Sequence, residues 1–248
     1  MKKKRLMVVL ICVLAAAVVA GGIFLLVKRD NKGSSAQGEA GTAAQSESAV
    51  PSKKIKIACV GDSITFGYAL PNREKDAYPS QLAALLGENY EVKNFGITGR
   101  TVSLAGDFPY AMEEVFEKSK LFGADIVIFM LGTNDSKKVN WDKAQFANDY
   151  DFLIESYRAM PNHAQVYVMT PPPVFFEPGG EDAPDNAVIT REIVPFIKQY
   201  AKDNKLSVID VNAAFQGKGE LFSDGCHPNE AGAQRLAQIV QQAISEKK

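Results

Sequence analysis

A serine at the end of an apolar run, two histidines and one Asp-x-x-His spacing set out the chemistry open to this chain. Ser63 stands in Gly61-Asp62-Ser63, directly after the β-branched run 55–60, which reads as a buried parallel strand. A serine hydroxyl is a weak nucleophile near neutral pH and needs an adjacent base. Only His163 and His227 supply an imidazole. His163 lies in a Pro161-Asn162-His163 turn ahead of an apolar run, on the rim opposite Ser63 if the sheet is parallel, and reads as a surface residue. His227 follows Asp224 by three residues and precedes Pro228, which biases its backbone toward an extended conformation. That spacing lets the carboxylate hold one imidazole nitrogen while the other faces the nucleophile. Attack on an ester carbonyl builds a negative oxygen, which needs donors already aimed at it. The N–H of Ser63, the N–H of Gly96 and the side-chain amide of Asn134 are of the right type, and a glycine at 96 leaves room for a close carbonyl. Taken singly, each block is ordinary: Gly-Asp-Ser is common turn chemistry, and Asp224 could simply cap a turn.

These residues act together only if the elements between them converge. Apolar runs at 55–60, 90–95, 125–131, 165–170 and 206–211 predict five strands. Helical spacing is expected over 78–86, 109–120, 142–159, 187–203 (with Pro195 as a kink or boundary) and 229–245. Alternation of strand and helix predicts an α/β fold with a parallel sheet covered on both faces. Right-handed crossovers then put the carboxyl end of every strand on one rim. The loops 61–65, 94–101 and 132–135 follow strand ends directly, and 224–228 comes within reach of the same rim. The Pro/Gly-rich stretch 171–186, with Phe175 and Phe176, reads as a lid or binding loop or as a surface insertion.

The net charge of −1 over 248 residues hides a split. Residues 1–32 hold seven basic side chains and one acidic, leaving 21 basic and 28 acidic residues and a net charge of −7 in the remainder. An acidic body argues against a nucleic-acid partner. Residues 6–27 are uncharged and long enough to cross about 30 Å of hydrocarbon, and Lys2, Lys3, Lys4 and Arg5 precede them. Residues 1–29 are therefore expected to be a cytoplasmic basic end plus a transmembrane signal anchor, with a cleaved signal peptide as the alternative. Residues 30–52, rich in Gly, Ser, Ala, Gln and Glu, read as a flexible linker. The folded domain is expected over 53–248. Its two cysteines, Cys59 and Cys226, are too few for a disulfide scaffold and are expected as free, packed thiols, with a bridge between them as the alternative.

Gly61-Asp62-Ser63, the Asn94-x-Gly96-x-x-Gly99 turn, Gly132-x-Asn134-Asp135 and Asp224-x-x-His227 together resemble the four motif blocks of the SGNH (GDSL-type) hydrolase superfamily, in its order and over roughly residues 53–245. The resemblance implies a flavodoxin-like, three-layer α/β/α fold around a five-stranded parallel sheet. It implies Ser63 as nucleophile, Asp224 and His227 as the rest of a triad, and Gly96 and Asn134 beside Ser63 as oxyanion donors. No metal or organic cofactor is implied. The neighbourhoods of Phe108-Pro109-Tyr110 and Asn140-Trp141 are similar to bacterial carbohydrate O-acetylesterases of the sialate-esterase kind. The leading expectation is thus a membrane-tethered extracytoplasmic serine esterase that removes acetyl or other short acyl groups from carbohydrates. A lysophospholipase or thioesterase is the alternative enzyme, and a non-catalytic glycan-binding module the alternative of another class. Thr98, Arg100, Asp135 and Trp141, and more weakly Arg73, are expected as substrate contacts from loop position alone.

Overall fold

A computed structural model describes residues 53–176 and 179–246. The expected anchor and linker, residues 1–52, lie outside the described residues. Among the described residues no helix is long and apolar enough to cross a membrane.

Five strands, β1 (Ile55–Gly61), β2 (Tyr90–Gly96), β3 (Ile126–Met130), β4 (Gln165–Met169) and β5 (Ser207–Ile209), form one sheet in the order β2-β1-β3-β4-β5. Every pairing is parallel, with Gly61 opposite Gly96 on one side and Met130 on the other. This is the doubly wound order in which ligands collect beyond the carboxyl ends of the strands, at the switch between β1 and β3. The alternating side chains of β1 explain the layering. Ala58 and Val60 face a core with Phe129, Phe146, Tyr150 and Ile197, while Ile57 and Cys59 face one with Leu82, Leu236 and Val240. The first face is covered by the helices Glu114–Leu121, Lys143–Arg158 and Val194–Asp203, the second by Tyr78–Leu86 and Glu230–Ser245.

Three predicted elements differ in detail. The helix expected over 109–120 is split, because Glu113 has an extended backbone between a 3-10 turn, Tyr110–Met112, and the helix Glu114–Leu121. The fifth strand stops at Ile209, since the Asp210 carboxylate accepts the Ala213 N–H and starts a helix, Val211–Phe215. Pro195, which has no N–H, opens the helix Val194–Asp203 directly after a π-helical turn, Ile189–Ile193, a wide turn that absorbs the missing bond. Cys59 and Cys226 are free and buried, and burial pushes both thiols up to about 12.

Candidate active site

The chain leaves β1 at Gly61, and the Asp62 carboxylate accepts the Ile64 N–H at 2.9 Å, starting a one-turn helix, Ser63–Phe66, beyond the strand end. Ser63 occupies the first position of that turn, so its hydroxyl and its N–H both face the rim. On the far side, Asp224 organises its own loop. Its Oδ1 accepts the N–H groups of Cys226 (2.9 Å) and His227 (2.7 Å), and its Oδ2 lies 2.7 Å from His227 Nδ1. His227 Nε2 lies 2.9 Å from Ser63 Oγ. Burial alone would raise the Asp224 pKa, but the bonds from the His227 ring and the two N–H groups outweigh it and hold the carboxyl below its ordinary value. The arrangement is a continuous carboxylate–imidazole–hydroxyl chain.

That loop is braced by the start of the stretch expected as lid or insertion. Residues 171–174 are buried, the Phe175 N–H donates to the Gly225 carbonyl at 2.7 Å, and the Phe175 ring sits 5.0 Å from that of Phe222. Phe176 packs beside Cys226 and Val174.

A cavity of about 230 Å³ opens over Ser63, lined also by Tyr68, Thr98, Gly99, Asn134 and His227. The Asn134 amide donates to the Arg100 carbonyl at 3.1 Å and lies 3.5 Å from Asp62 Oδ2, which fixes its orientation. Asn140, in turn, donates to the Asn134 carbonyl.

Gly96 requires a correction. Its N–H, expected as an oxyanion donor, is committed to Asn94 Oδ1 at 2.9 Å, and Gly96 is the last residue of β2 rather than part of the cavity wall. A Cβ there would collide with the backbone of Thr65 and Phe66, so glycine serves the close packing of β2 against the Ser63 turn. Gly99, three residues on, lines the cavity with φ +80°, and among the described residues its N–H has no partner. Of the residues lining the cavity, Ser63 and Gly99 have N–H groups without a partner among the described residues, and the Asn134 amide lies beside them with its N–H bonds on the Arg100 carbonyl and Asp62 Oδ2.

Of the expected substrate contacts, only Thr98 reaches the cavity. Asp135 is buried and accepts the N–H groups of Val102 and Ser103 at 3.0 and 2.9 Å, tying the 97–109 loop to the end of β3. Burial raises its pKa to about 7 against the lowering effect of those N–H groups; burial likewise raises Asp62 to about 6, offset in part by the Ile64 N–H and by His227. Arg100 is committed to Glu113 (2.6 Å) and to the Thr98 carbonyl (2.7 Å). Trp141 packs on Phe146, with ring centroids 5.6 Å apart. Arg73 stacks on Phe66 at 4.2 Å. His163 is exposed before β4, on the other rim. Besides Gly99, Tyr68 is the cavity residue that sequence reasoning missed. Its position next to the Gly67 that ends the Ser63 turn was the available signal. Among the described residues no cluster of His, Cys, Asp and Glu could hold a metal ion.

Residues 59–235 match the family described as GDSL-like lipase/acylhydrolase. An acetylxylan esterase of Xylanibacter ruminicola is 37% identical over 209 residues, 77% of this chain and 43% of that protein, so the chain spans less than half the length of this relative. Among solved structures, the M. smegmatis aryl esterase has a TM-score of 0.64 at 22% identity, covering 77% of this chain and 98% of that one. A carbohydrate acetylesterase from Sinorhizobium meliloti has a TM-score of 0.60 at 23% identity, covering 79% and 100%. At these identities the structural likeness is one of fold.

Proposed function

The chain belongs to the GDSL-like lipase/acylhydrolase family, a family of carboxylic ester hydrolases, and we propose that it removes O-acetyl groups from carbohydrates through an acyl-enzyme on Ser63. The observation that carries this reading is the Asp224–His227–Ser63 chain opening into a cavity of about 230 Å³, below the roughly 300–1,000 Å³ of pockets for drug-sized ligands. His227 takes the Ser63 proton as Oγ attacks the carbonyl, and Asp224 holds the imidazole in the tautomer whose Nε2 is free to do so. The negative oxygen is received by the Ser63 and Gly99 N–H groups and the Asn134 amide. His227 then gives its proton to the departing alcohol, and a water repeats the sequence to release acetate and restore Ser63.

The long-acyl reading keeps only the proposed membrane tether as a motive. Phe175 and Phe176, which would have lined an acyl channel, pack on the loop that carries Asp224 and His227. A glycan-binding module has no use for a carboxylate held on an imidazole held on a serine. The acetylxylan esterase relative favours an acetylated, neutral polysaccharide as the substrate class. We also propose that residues 6–27 anchor the enzyme with its catalytic domain on the extracytoplasmic side, on their length and charge flanks. Rates on p-nitrophenyl esters of increasing chain length, beside acetate release from acetylated xylan, test the acyl preference. Faster hydrolysis of long-chain esters than of the acetate would overturn it.

A further inference from the structure

Tyr68 sits where the departing alcohol must begin. The proton returned by His227 Nε2 goes to the ester's alcohol oxygen, so that oxygen lies within hydrogen-bond reach, about 3 Å, of Nε2. The Tyr68 ring lies against this same imidazole, with centroids 4.6 Å apart and planes tilted by 55°, and half of the residue is open to solvent. Its backbone is tied to the nucleophile's turn, the Tyr68 N–H donating to the Ser63 carbonyl at 2.9 Å. Thr98, Gly99 and Asn134 complete the lining of the cavity. The acyl group therefore belongs on the side of the Gly99 and Asn134 donors, and the alcohol on the side of Tyr68.

Beyond Tyr68 the surface dips again. A cleft of about 450 Å³ is lined by residues 69–71, 223 and 229–231. It begins on the chain at the residue after Tyr68, and its far wall joins the His227 loop, since the Ser223 N–H donates to the His227 carbonyl at 2.9 Å. Leu70, Pro71 and Ala231 give it apolar surface. Among the described residues the Ser223 hydroxyl and the Glu230 carboxylate at its edge hold no partner. A hydrocarbon chain laid there would strip water from both polar groups without replacing it. A ring with apolar faces and equatorial hydroxyls satisfies both kinds of surface.

We infer that Tyr68 and this cleft form the alcohol-side binding region of the enzyme: the acetylated sugar ring lies on the Tyr68 face, and a neighbouring neutral sugar of the same chain occupies the cleft behind it. The inference rests on the carbohydrate reading above and makes the substrate an oligosaccharide or polysaccharide rather than a free acetylated sugar. Tyr68 acts as a specificity-determining residue, since an aromatic face offers a broad, rigid apolar platform at little conformational cost.

The test compares kcat/KM, by acetate release, on methyl acetate, an acetylated xylose and an acetylated xylotetraose. For the wild-type protein the tetraose is expected to exceed the monosaccharide by about 10-fold, the size of effect that one well-packed contact provides. Ala231 is exposed at the start of the last helix, so Ala231→Trp fills the cleft from outside the core and is expected to abolish that length dependence. Tyr68→Ala is expected to lower the ratio of tetraose to methyl acetate by about 10-fold, the ratio cancelling any disturbance of His227. Equal wild-type kcat/KM on monosaccharide and tetraose, or a length dependence unchanged in Ala231→Trp, overturns the inference and leaves the carbohydrate reading standing. Hydrolysis of methyl acetate with no release from either sugar overturns both.

Discussion

Asp224→Asn separates the chemistry of the triad from the folding of its loop. Asp224 uses its two oxygens differently: Oδ1 receives the N–H groups of Cys226 and His227, and Oδ2 faces the His227 ring. Asparagine keeps an oxygen for the two N–H groups and places its NH₂ against Nδ1. A donor there forces Nδ1 to be the acceptor, so the ring proton moves to Nε2 and points at Ser63 Oγ. The imidazole then cannot accept the serine proton, and kcat is expected to fall by about 10⁴, as in triads with the wrong tautomer. Thermal stability should change little, because the loop's backbone bonds survive. Asp224→Ala loses those bonds as well and should destabilise by about 1–2 kcal/mol, the half-exposed setting limiting the effect. Initial rates on p-nitrophenyl acetate and melting curves for the two variants distinguish the contributions. An Asp224→Asn protein retaining a tenth or more of wild-type kcat would refute the tautomer reasoning. The same carboxylate gives a pH expectation: its folded pKa lies below its ordinary value, so its contribution to stability is present above the ordinary carboxylate range and is lost as pH falls through the folded value.

Further outcomes follow from the same contacts. Asn134→Ala removes one oxyanion donor and should cost about 10²- to 10³-fold in kcat with a smaller change in KM. Gly96→Ala should lower the melting temperature, because its methyl collides with the Thr65–Phe66 backbone; Gly99→Ala meets open space but a φ of +80°, so it should cost about 1 kcal/mol of strain, as for other non-glycine residues held there, and lower kcat more than stability. Melting curves and kcat for the pair reveal which N–H receives the oxyanion, and an unstable Gly99→Ala with normal kcat would contradict the assignment. Asp62 and Asp135 carry pKa values raised to about 6 and 7, so each favours the protonated folded state: the stability they lend is present below the ordinary carboxylate range and is lost as pH rises through those values, on the order of 3 kcal/mol for Asp62. Asp62→Asn should flatten the pH dependence of the melting temperature between about pH 4 and 7; an unchanged slope would show that the burial of Asp62 is compensated.

Much of the site was legible because its residues announce themselves locally. Each chemical group follows a strand end or a short loop, so Ser63, Asn134, Asp224 and His227 could be placed on one rim from periodicity and crossover handedness. The two glycines of the 94–101 turn were not separable that way. Both stand in the same tight turn, and only the Asn94 side chain, folding back onto the Gly96 N–H, decides that the open donor is Gly99. Asp135, Arg100 and Trp141 lie outside the cavity lining for a related reason. Loop position put them near the substrate, but their partners, the Val102–Ser103 backbone, Glu113 and Phe146, are fixed by the fold and carry no local signal. Tyr68 was missed because its significance lies in a contact with His227, 159 positions away along the chain.

The central claim is that Ser63 accepts an acetyl group from a carbohydrate ester. Acetate release from acetylated xylan by the wild-type protein and by Ser63→Ala, His227→Ala and the double variant tests it most directly. The expected result is rapid release by the wild type, losses of several orders of magnitude in each single variant, and no further loss in the double, because the two residues act as one unit. Equal release by wild type and Ser63→Ala, or losses in the double variant that multiply those of the singles, would contradict it.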